Sequence, residues 1–573
     1  MPTDHAWGPR PEGDDMWRFR LWAPDCDEVL LRLSGHDIAM HPEAGGWFAA
    51  CAEAHEGAHY SYVLPGGAVV PDPASRRQAG GVHGPSCLTR PRAPRPWAGR
   101  PWEEAVICEM HVGAFTDEGT FRAAMAELPR LAGIGFTAVE LLPLAQFGGD
   151  RGWGYDGVLP YAPQDSYGTP DDLAAFVEEA HRHGLMVLLD VVYNHFGPEG
   201  NFLPLYASDF FDEARQTPWG AGIDYARGPV RRFFIENAVY WLGEFGFDGL
   251  RLDAIDQIVD PSEPELLVEL AREVRARLPG RHIHLTTEDN RNVTHLHERG
   301  PAGEVVLHTA EWNDDVHNAA HVLVTGETDG YYGPFAEDPL GLLARALAEG
   351  FAFQGEAGRG APSGHLPPTA FVDFLQNHDQ TGNRALGERL IELTDPDRLE
   401  ALTAILALSP HIPLFFMGEE YGETRRFPFF VHFGGELDEA VRAGRRAEFA
   451  AFTAFTHAEV PDPVAEETFL SAKLDPARRD SPEGRAFADR LTRLLQIRHA
   501  RIVPLLFHAH GHAGRVVTAA EGQLAVDWRL GDATLALRAR FGAAPLPEGQ
   551  GEVLHHACGP GARAEAVHYL DTR

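Results

Sequence analysis

Between residues 14 and 90 apolar and polar positions alternate in short runs, "MWRFRLWAP", "EVLLRLSG", "GWFAACAEA" and "HYSYVLP", with turn residues between them. A period of two predicts strands with one covered face, and several at this spacing predict a small β-sandwich. The stretch "TRPRAPRPWAGRPW" (89–102) is rich in Pro and Arg, has no period and predicts a linker. From residue 105 the pattern changes to apolar strand followed by amphipathic helix, repeated. The predicted strands are "AVICEMHV" (105–112), "AVELLPL" (138–144), "MVLLDVVYNH" (186–195) and "GLRLDA" (249–254). They continue with "HIHLTTED" (282–289), "EVVLHTAEW" (304–312), "FVDFLQNHD" (371–379) and "PLFFMGEE" (413–420).

One intervening helix is marked at both ends. Thr169 is its cap, Pro170 occupies the first turn, and Asp172 closes a capping box. Leu173, Phe176, Val177 and Ala180 form its apolar stripe, and Gly184 ends it. Eight strands with helical spacers predict an α/β fold, a (β/α)8 TIM barrel. An open doubly wound sheet would want a glycine-rich phosphate turn after an early strand, and no convincing GxGxxG is present. The most apolar stretch, "ALTAILALSPHIPLFFMG" (401–418), contains a His and two prolines and reads as a buried helix and strand. After a last amphipathic helix at about 482–499, "RVVTAA", "LAVDWRL" and "ATLALRARF" predict a small C-terminal β domain. The expected division is an N-terminal β-sandwich at 1–92, a linker at 93–104, the barrel at 105–500 and the C-terminal domain at 501–573.

One strand breaks its own pattern. Alternation in "GFDGLRLDAI" (246–255) sends Leu250 and Leu252 to one face and Arg251 and Asp253 to the other. Covered on both faces, that strand takes two charges out of water at considerable cost. In a barrel, functional groups gather where strands end at the C-terminal rim. Read to those ends, the strands supply Asp190, Asn194, His195, Arg251, Asp253, Glu288, Asp289, Glu311 to Asp314, His378, Asp379, Glu419 and Glu420. So many acids at one rim suit sugar chemistry. Glycoside hydrolysis needs one carboxylate to attack and one protonated carboxyl to donate to the leaving oxygen. Further negative charge helps an oxocarbenium-like transition state. Asp253, Glu288 and Asp379 supply three such groups from three strands, and Arg251 can keep Asp253 ionised. The competing reading, structural ion pairs inside a barrel, fits any one of these acids alone.

Charge and cysteine content narrow the partners. The formal net charge of −35 repels phosphate backbones and anionic lipid, so neither nucleic acid nor a membrane surface is expected as partner, and a neutral substrate is. Five scattered cysteines form no CxxC, which suits a reducing compartment. The N-terminal "MPTDHAWGPRPEG" has neither a basic start nor an apolar segment, so no leader and a cytoplasmic location are expected.

Four stretches, "DVVYNH" (190–195), "GLRLDAI" (249–255), "TTEDN" (286–290) and "FLQNHD" (374–379), resemble in order and spacing the four motifs of the α-amylase family. The resemblance implies Asp253 as nucleophile, Glu288 as acid/base and Asp379 as transition-state stabiliser, with His195 and His378 as sugar ligands and Arg251 beside the nucleophile. A finer likeness, in "DPASRRQAGGVHGPS" (72–86), "WGYDG" (153–157), "VVYNHFGPEGN" (191–201), "EWNDDVHN" (311–318) and "FFMGEEYGE" (415–423), is to the maltooligosyltrehalose trehalohydrolase family. That family hydrolyses the α-1,4 bond next to a terminal trehalose unit. Its sugar-binding-module-like N-terminal sandwich is shared with branching and debranching enzymes, which are the alternative function. A barrel that kept its fold and lost its chemistry is the non-enzymatic alternative, and the three acids speak against it.

The resemblance implies maltooligosyl trehalose and other maltooligosaccharides as substrates, and a maltooligosyltrehalose synthase as pathway partner. Tyr155 and Asp156 of "WGYDG", with Trp153 and Trp312, are candidates for sugar contact, an aromatic face suiting the C–H face of glucose. Asn290, Asn313, Asp314 and His317 are candidates for the trehalose side. One departure is Thr286 and Thr287 before Glu288, hydroxyls placed to tune the acid. No cofactor and no metal is expected. "HAHGH" (508–512) and "HIH" (282–284) lack acid or cysteine partners. Asn194 matches a calcium ligand of many α-amylases, but residues 196–230 carry no EF-hand-like acid pattern to complete a site.

Overall fold

The computed structural model describes residues 5–217, 220–449 and 460–572. Residues 1–4 of the segment read for a leader lie outside the described residues. Eight parallel strands close into a barrel in chain order. They are β1 (Ile107–Met110), β2 (Ala138–Leu141), β3 (Met186–Val191), β4 (Gly249–Leu252), β5 (His284–Thr287), β6 (Ala310–Trp312), β7 (Phe371–Phe374) and β8 (Ile412–Phe416). β1 pairs with β8 to complete the circle, Ile107 opposite Leu414. Each expected strand is present but shorter than its apolar run. Surplus residues after a strand turn into the rim: His111, for example, caps a helical turn at Val112–Phe115. β6 is cut most, to the last three residues of 304–312.

Alternation then sorts side chains between the barrel interior and its helical jacket. Ile107, Ala138, Met186, Leu188, Ala310, Val372, Ile412 and Leu414 form one interior apolar cluster. The same parity carries Glu109, Glu140, Asp190 and Arg251 into the interior one layer nearer the C-terminal rim. Leu250 and Leu252 point the other way, into the core between strands and helices.

Four helices matter below: α1 (Pro170–Arg182), α2 (Asp314–Thr325), α3 (Pro396–Leu408) and α4 (Pro482–Ile497). In α1 the Thr169 hydroxyl accepts from Asp172 N (3.2 Å), and Asp172 Oδ2 accepts from Thr169 N (2.9 Å), a closed capping box. Leu173, Phe176, Val177 and Ala180 are buried. Gly184 follows with φ +74°, a turn that a side chain would strain.

Before the barrel stand two antiparallel sheets built from residues 10–87, packed over Trp17, Phe19, Leu21, Leu31, Tyr60 and Tyr62. After it, five antiparallel strands between Gly514 and Asp571 form one sheet. The Pro/Arg-rich stretch has no regular structure until a short turn at Trp102–Glu104, yet it is held to the barrel. Trp97 Nε1 donates to buried Asp248 (2.7 Å), and its ring stacks on His181 at 4.7 Å. No described helix is long and apolar enough to cross a membrane.

Thr169→Ala removes the cap and should cost about 1 kcal/mol of stability, read as a lowered melting temperature with kcat unchanged. An unchanged melting temperature would mean that α1 is held by its packing alone.

Candidate active site

The rim of the barrel is organised around Arg251, whose side chain is 0% exposed. Its Nη1 donates to Asp190 Oδ2 (2.7 Å) and to Asp253 Oδ1 (2.8 Å), and its Nη2 lies 3.2 Å from Glu288 Oε2. The guanidinium rests 4.2 Å above the ring of Trp312. A fork of fixed donors therefore joins carboxyls from β3, β4 and β5, which a lysine could not do. Asn194 completes the grip: its Nδ2 donates to Asp253 Oδ2 (2.9 Å) and to the Asp253 carbonyl (2.8 Å).

After Asp253 the chain turns through Ala254 at φ +41°, a left-handed conformation unusual for a residue with a Cβ. The turn aims Ala254 N at Glu288 Oε2 (2.8 Å). Oε2 thus faces two donors, so a proton on Glu288 sits on Oε1. Burial raises the Glu288 pKa well above the carboxylate range; Arg251 opposes this, while Asp253, Asp314 and Asp379 add to it. These surroundings favour the protonated form of Glu288.

A second chain of bonds crosses the mouth from β1. Glu109 Oε1 lies 2.5 Å from His378 Nδ1, and Glu109 Oε2 accepts from His378 N (3.0 Å). His378 Nε2 lies 2.7 Å from the Tyr155 hydroxyl, which donates to Asp190 Oδ2 at 2.6 Å. Burial disfavours the His378 cation, but Asp379 and Glu109 outweigh it and raise its pKa to about 9. Both ring nitrogens therefore donate. Tyr155 stacks on this imidazolium, rings 5.1 Å apart at 17°. Asp379 lies 3.6 Å from His378 Nε2 and is the most open of the three acids, its side chain 38% exposed.

Of the other expected contacts, the structure leaves Asp156, Asp314 and Asn290 partly or fully exposed, buries His195 beside them and turns four residues away. His195 Nε2 lies 2.9 Å from the Tyr155 carbonyl, and its Nδ1 meets Asn194. Asp156 is partly exposed and raised by burial to about 6. Asp314 accepts from Gln380 Nε2 (3.1 Å), and burial with Asp379 and Asp315 raises it to about 6. The Asn290 side chain is exposed. Trp312 is 2% exposed beneath Arg251 and has no face left for a sugar. Trp153 is likewise buried, stacked on Phe427. Asn313 spends its amide on the Gly350 carbonyl (2.8 Å) and Asp373 (3.0 Å). His317 bonds to the Leu375 carbonyl (2.6 Å) and the Tyr332 hydroxyl (3.2 Å) inside the packing of α2. The reason is helical: α2 begins at Asp314, so the residues around it point to different sides.

The strand-end acids divide the same way. Glu311 bonds to Thr287 Oγ1 (2.5 Å) and faces His297 at 3.3 Å, while Asp289 is held by Arg291 and Glu420 by Arg130. None of these belongs to the site. Thr286 Oγ1 donates to the Leu250 carbonyl (3.4 Å), so neither threonine hydroxyl reaches Glu288. His508, His510 and His512 are exposed in a loop, not on a strand. Among the described residues no group of three or more His, Cys, Asp or Glu side chains could hold a metal ion.

Glu109, Gln380 and the positioning use of Asn194 escaped the sequence reading. Strand parity could have found Glu109, which shares its face with interior Ile107. Glu140 joins it: 1% exposed, with its pKa raised well above the ordinary value by burial and by Glu109 and Asp190.

The catalytic-domain model of the alpha amylases matches residues 99–219, and a domain of unknown function, DUF3459, matches residues 511–570. A malto-oligosyltrehalose trehalohydrolase of Deinococcus radiodurans is 41% identical, covering 91% of this chain and 88% of its own. One from Saccharolobus solfataricus is 38% identical, over 80% of this chain and 82% of its own. A crystal structure of a Salmonella typhimurium protein, described provisionally as an alpha amylase, superimposes with a TM-score of 0.96 at 51% identity, covering 99% of each chain.

The His378 charge gives a test of this geometry. Its folded pKa lies above the ordinary 6.5, so its contribution to stability is full below pH 6.5 and is lost as pH rises through about 9. NMR of ring-labelled histidine should show His378 protonated at pH 7, and Glu109→Gln should move its titration down. A neutral His378 at pH 7 in the unaltered protein would contradict the bonding described.

Proposed function

The chain belongs to the malto-oligosyltrehalose trehalohydrolase family of α-amylase-type glycoside hydrolases, and from that premise we infer that it releases trehalose by hydrolysing the α-1,4 bond beside the terminal trehalose of maltooligosyl trehalose. The observation that carries the reading is the pairing of Asp253 and Glu288 on one guanidinium. Contact of both carboxyls with one guanidinium supports a retaining pair, which stands about 5–5.5 Å apart with no water between.

In this reading Glu288 delivers the Oε1 proton to the glycosidic oxygen as Asp253 attacks the anomeric carbon. The C–O bond breaks, trehalose leaves, and a glycosyl ester forms on Asp253. Glu288, now a carboxylate, takes a proton from water, whose oxygen displaces Asp253 with net retention. Arg251 neutralises Asp190, and His378 neutralises Glu109, so Asp253 and Asp379 remain as the charges that meet the developing oxocarbenium ion. The outer face of Tyr155 stacks on the sugar there. Partly exposed Asp156 and His195 beside it take its hydroxyls, while fully buried His378 backs the Tyr155 ring.

The trehalose side falls to Asp314 and Gln380, with Asn290 beside them. Asp314 acts electrostatically on Glu288 and lies bonded to Gln380, next in chain to Asp379, so the pair borders the leaving group. A 1,1-linked disaccharide offers no reducing end and presents its second ring at another angle, so fixed polar groups there discriminate it. The donor of such a substrate in the cell is a synthase that builds the 1,1 bond at a maltooligosaccharide end, and both enzymes work in the cytoplasm.

Asp253→Asn and Glu288→Gln should each lower kcat by about a thousandfold or more with folding intact, and Asp379→Asn nearly as much. A tenth of the original activity in any of them refutes its role. Proton NMR of the newly freed maltooligosaccharide, read before it mutarotates, should show the α-anomer; the β-anomer would mean inversion. Asp314→Ala should lower kcat/KM for maltotriosyl trehalose about ten- to a hundredfold more than for maltopentaose. Equal losses place trehalose recognition elsewhere, and new branch linkages without trehalose would make the chain a branching enzyme.

A further inference from the structure

Outside the barrel wall, where Phe415 of β8 points away from the interior, a cavity of about 320 Å3 lies between α3, α4 and the C-terminal sheet. Leu399, Phe415, Phe487, Leu491 and Leu494 give it an apolar wall. Glu419 opens into it, hydrogen-bonded to Gln376 and accepting from Phe416 N (2.6 Å). The hydrolytic site makes no use of this carboxyl, which β8 places on the opposite side of the wall from the triad.

One acid on the cavity wall, Glu419, stands apart from the arginines there. Glu423 is fully engaged, accepting from Thr424 N, Arg425 N, the Tyr421 hydroxyl and Asp475 N. Arg490 lies over Phe487 at 4.3 Å and pairs with Glu400 at 3.9 Å. Glu419 has no cation within ion-pair distance among the described residues; Arg389 acts on it only from a distance, and Glu420 opposes it. Burial raises it to about 8, so it is a neutral acid at pH 7.

We propose that this cavity binds a small organic cation, an alkyl- or arylammonium, whose charged end pairs with Glu419 and whose hydrocarbon lies against Phe415, Phe487 and Leu491. An anion would meet Glu400, Glu419 and Glu423 in a chain of net charge −35. A sugar would leave most hydroxyls unpaired against the apolar wall. An ammonium satisfies both halves: its charge ionises Glu419, whose proton leaves to solvent, and its hydrocarbon is covered. The other titratable and charged groups facing the cavity are Glu400, Glu423, Arg490, Arg493 and His555. Gln376 stands two residues before His378, so an occupant touches the segment that carries Asp379. The inference is independent of the hydrolytic reading.

Benzylammonium is the probe, with benzyl alcohol as its uncharged match, in calorimetric titration of the full chain. Because only the ionised form of Glu419 competes for the cation, its affinity should rise roughly tenfold from pH 6 to pH 7 and level off above about 8. Benzyl alcohol should bind more weakly and without pH dependence. Glu419→Gln should weaken benzylammonium at least tenfold and flatten its profile, and Leu491→Trp, which fills the cavity, should abolish it. A flat profile in the unaltered protein, equal affinity for the alcohol, or binding unchanged in both variants overturns the proposal; the first two need no variant to fold.

Discussion

A guanidinium with no exposed surface needs negative charge around it, and the barrel mouth gathers that charge at Arg251. Leaving it unpaired would cost several kcal/mol, far more than a surface charge. Asp190, Asp253 and Glu288 answer it with oxygen, and Trp312 with its ring face. The match has a chemical by-product. Groups gathered to satisfy one cation are groups held at fixed distance from each other, with rotamers that substrate binding need not select. Preorganisation of this kind removes reorganisation cost from the reaction itself. The buried ion pairs in the strand are thus the framework of the site, and the competing reading of structural pairs and the catalytic one describe the same atoms.

Differences between the two carboxyls follow from their neighbours. Asp253 has a donor on each oxygen, Arg251 on one and Asn194 on the other. Glu288 has both donors on one oxygen and three acids in its surroundings. In the mechanism we propose, this difference in donors gives one acid the part of an anion and the other that of a proton carrier, on adjacent strands of one sheet.

Much of this was legible in the sequence, for a definite reason. The eight strands announced themselves because a parallel barrel buries both faces of each, so apolar runs stand out. The triad was legible because charged residues inside such runs are costly and therefore few. What failed was resolution beyond the strand end. Where β6 passes into α2, the period changes from two to 3.6 within "EWNDDVHN", so Asn313 and His317 left the cleft while Asp314 stayed. Trp312 was misjudged because one ring serves equally as platform for a sugar or for an arginine, and only its burial decides. Glu109 and Glu140 were overlooked as strand interior, though their parity with Ile107 and Ala138 points them into the barrel.

The bond between Glu109 and His378 joins residues 269 positions apart, the first barrel strand to the seventh. Contacts of that separation form late, after the intervening loops have paid their closure entropy. A nascent chain that has made its first six strands therefore has Asp253 and Glu288 in place and Tyr155 tied to Asp190, but no counter-ion for Glu109 and no imidazole stacked on the Tyr155 ring. The cleft matures only when the cylinder shuts. Sugar binding is in this sense a readout of topological completion, and a partly folded chain is chemically silent while it waits for its own far end.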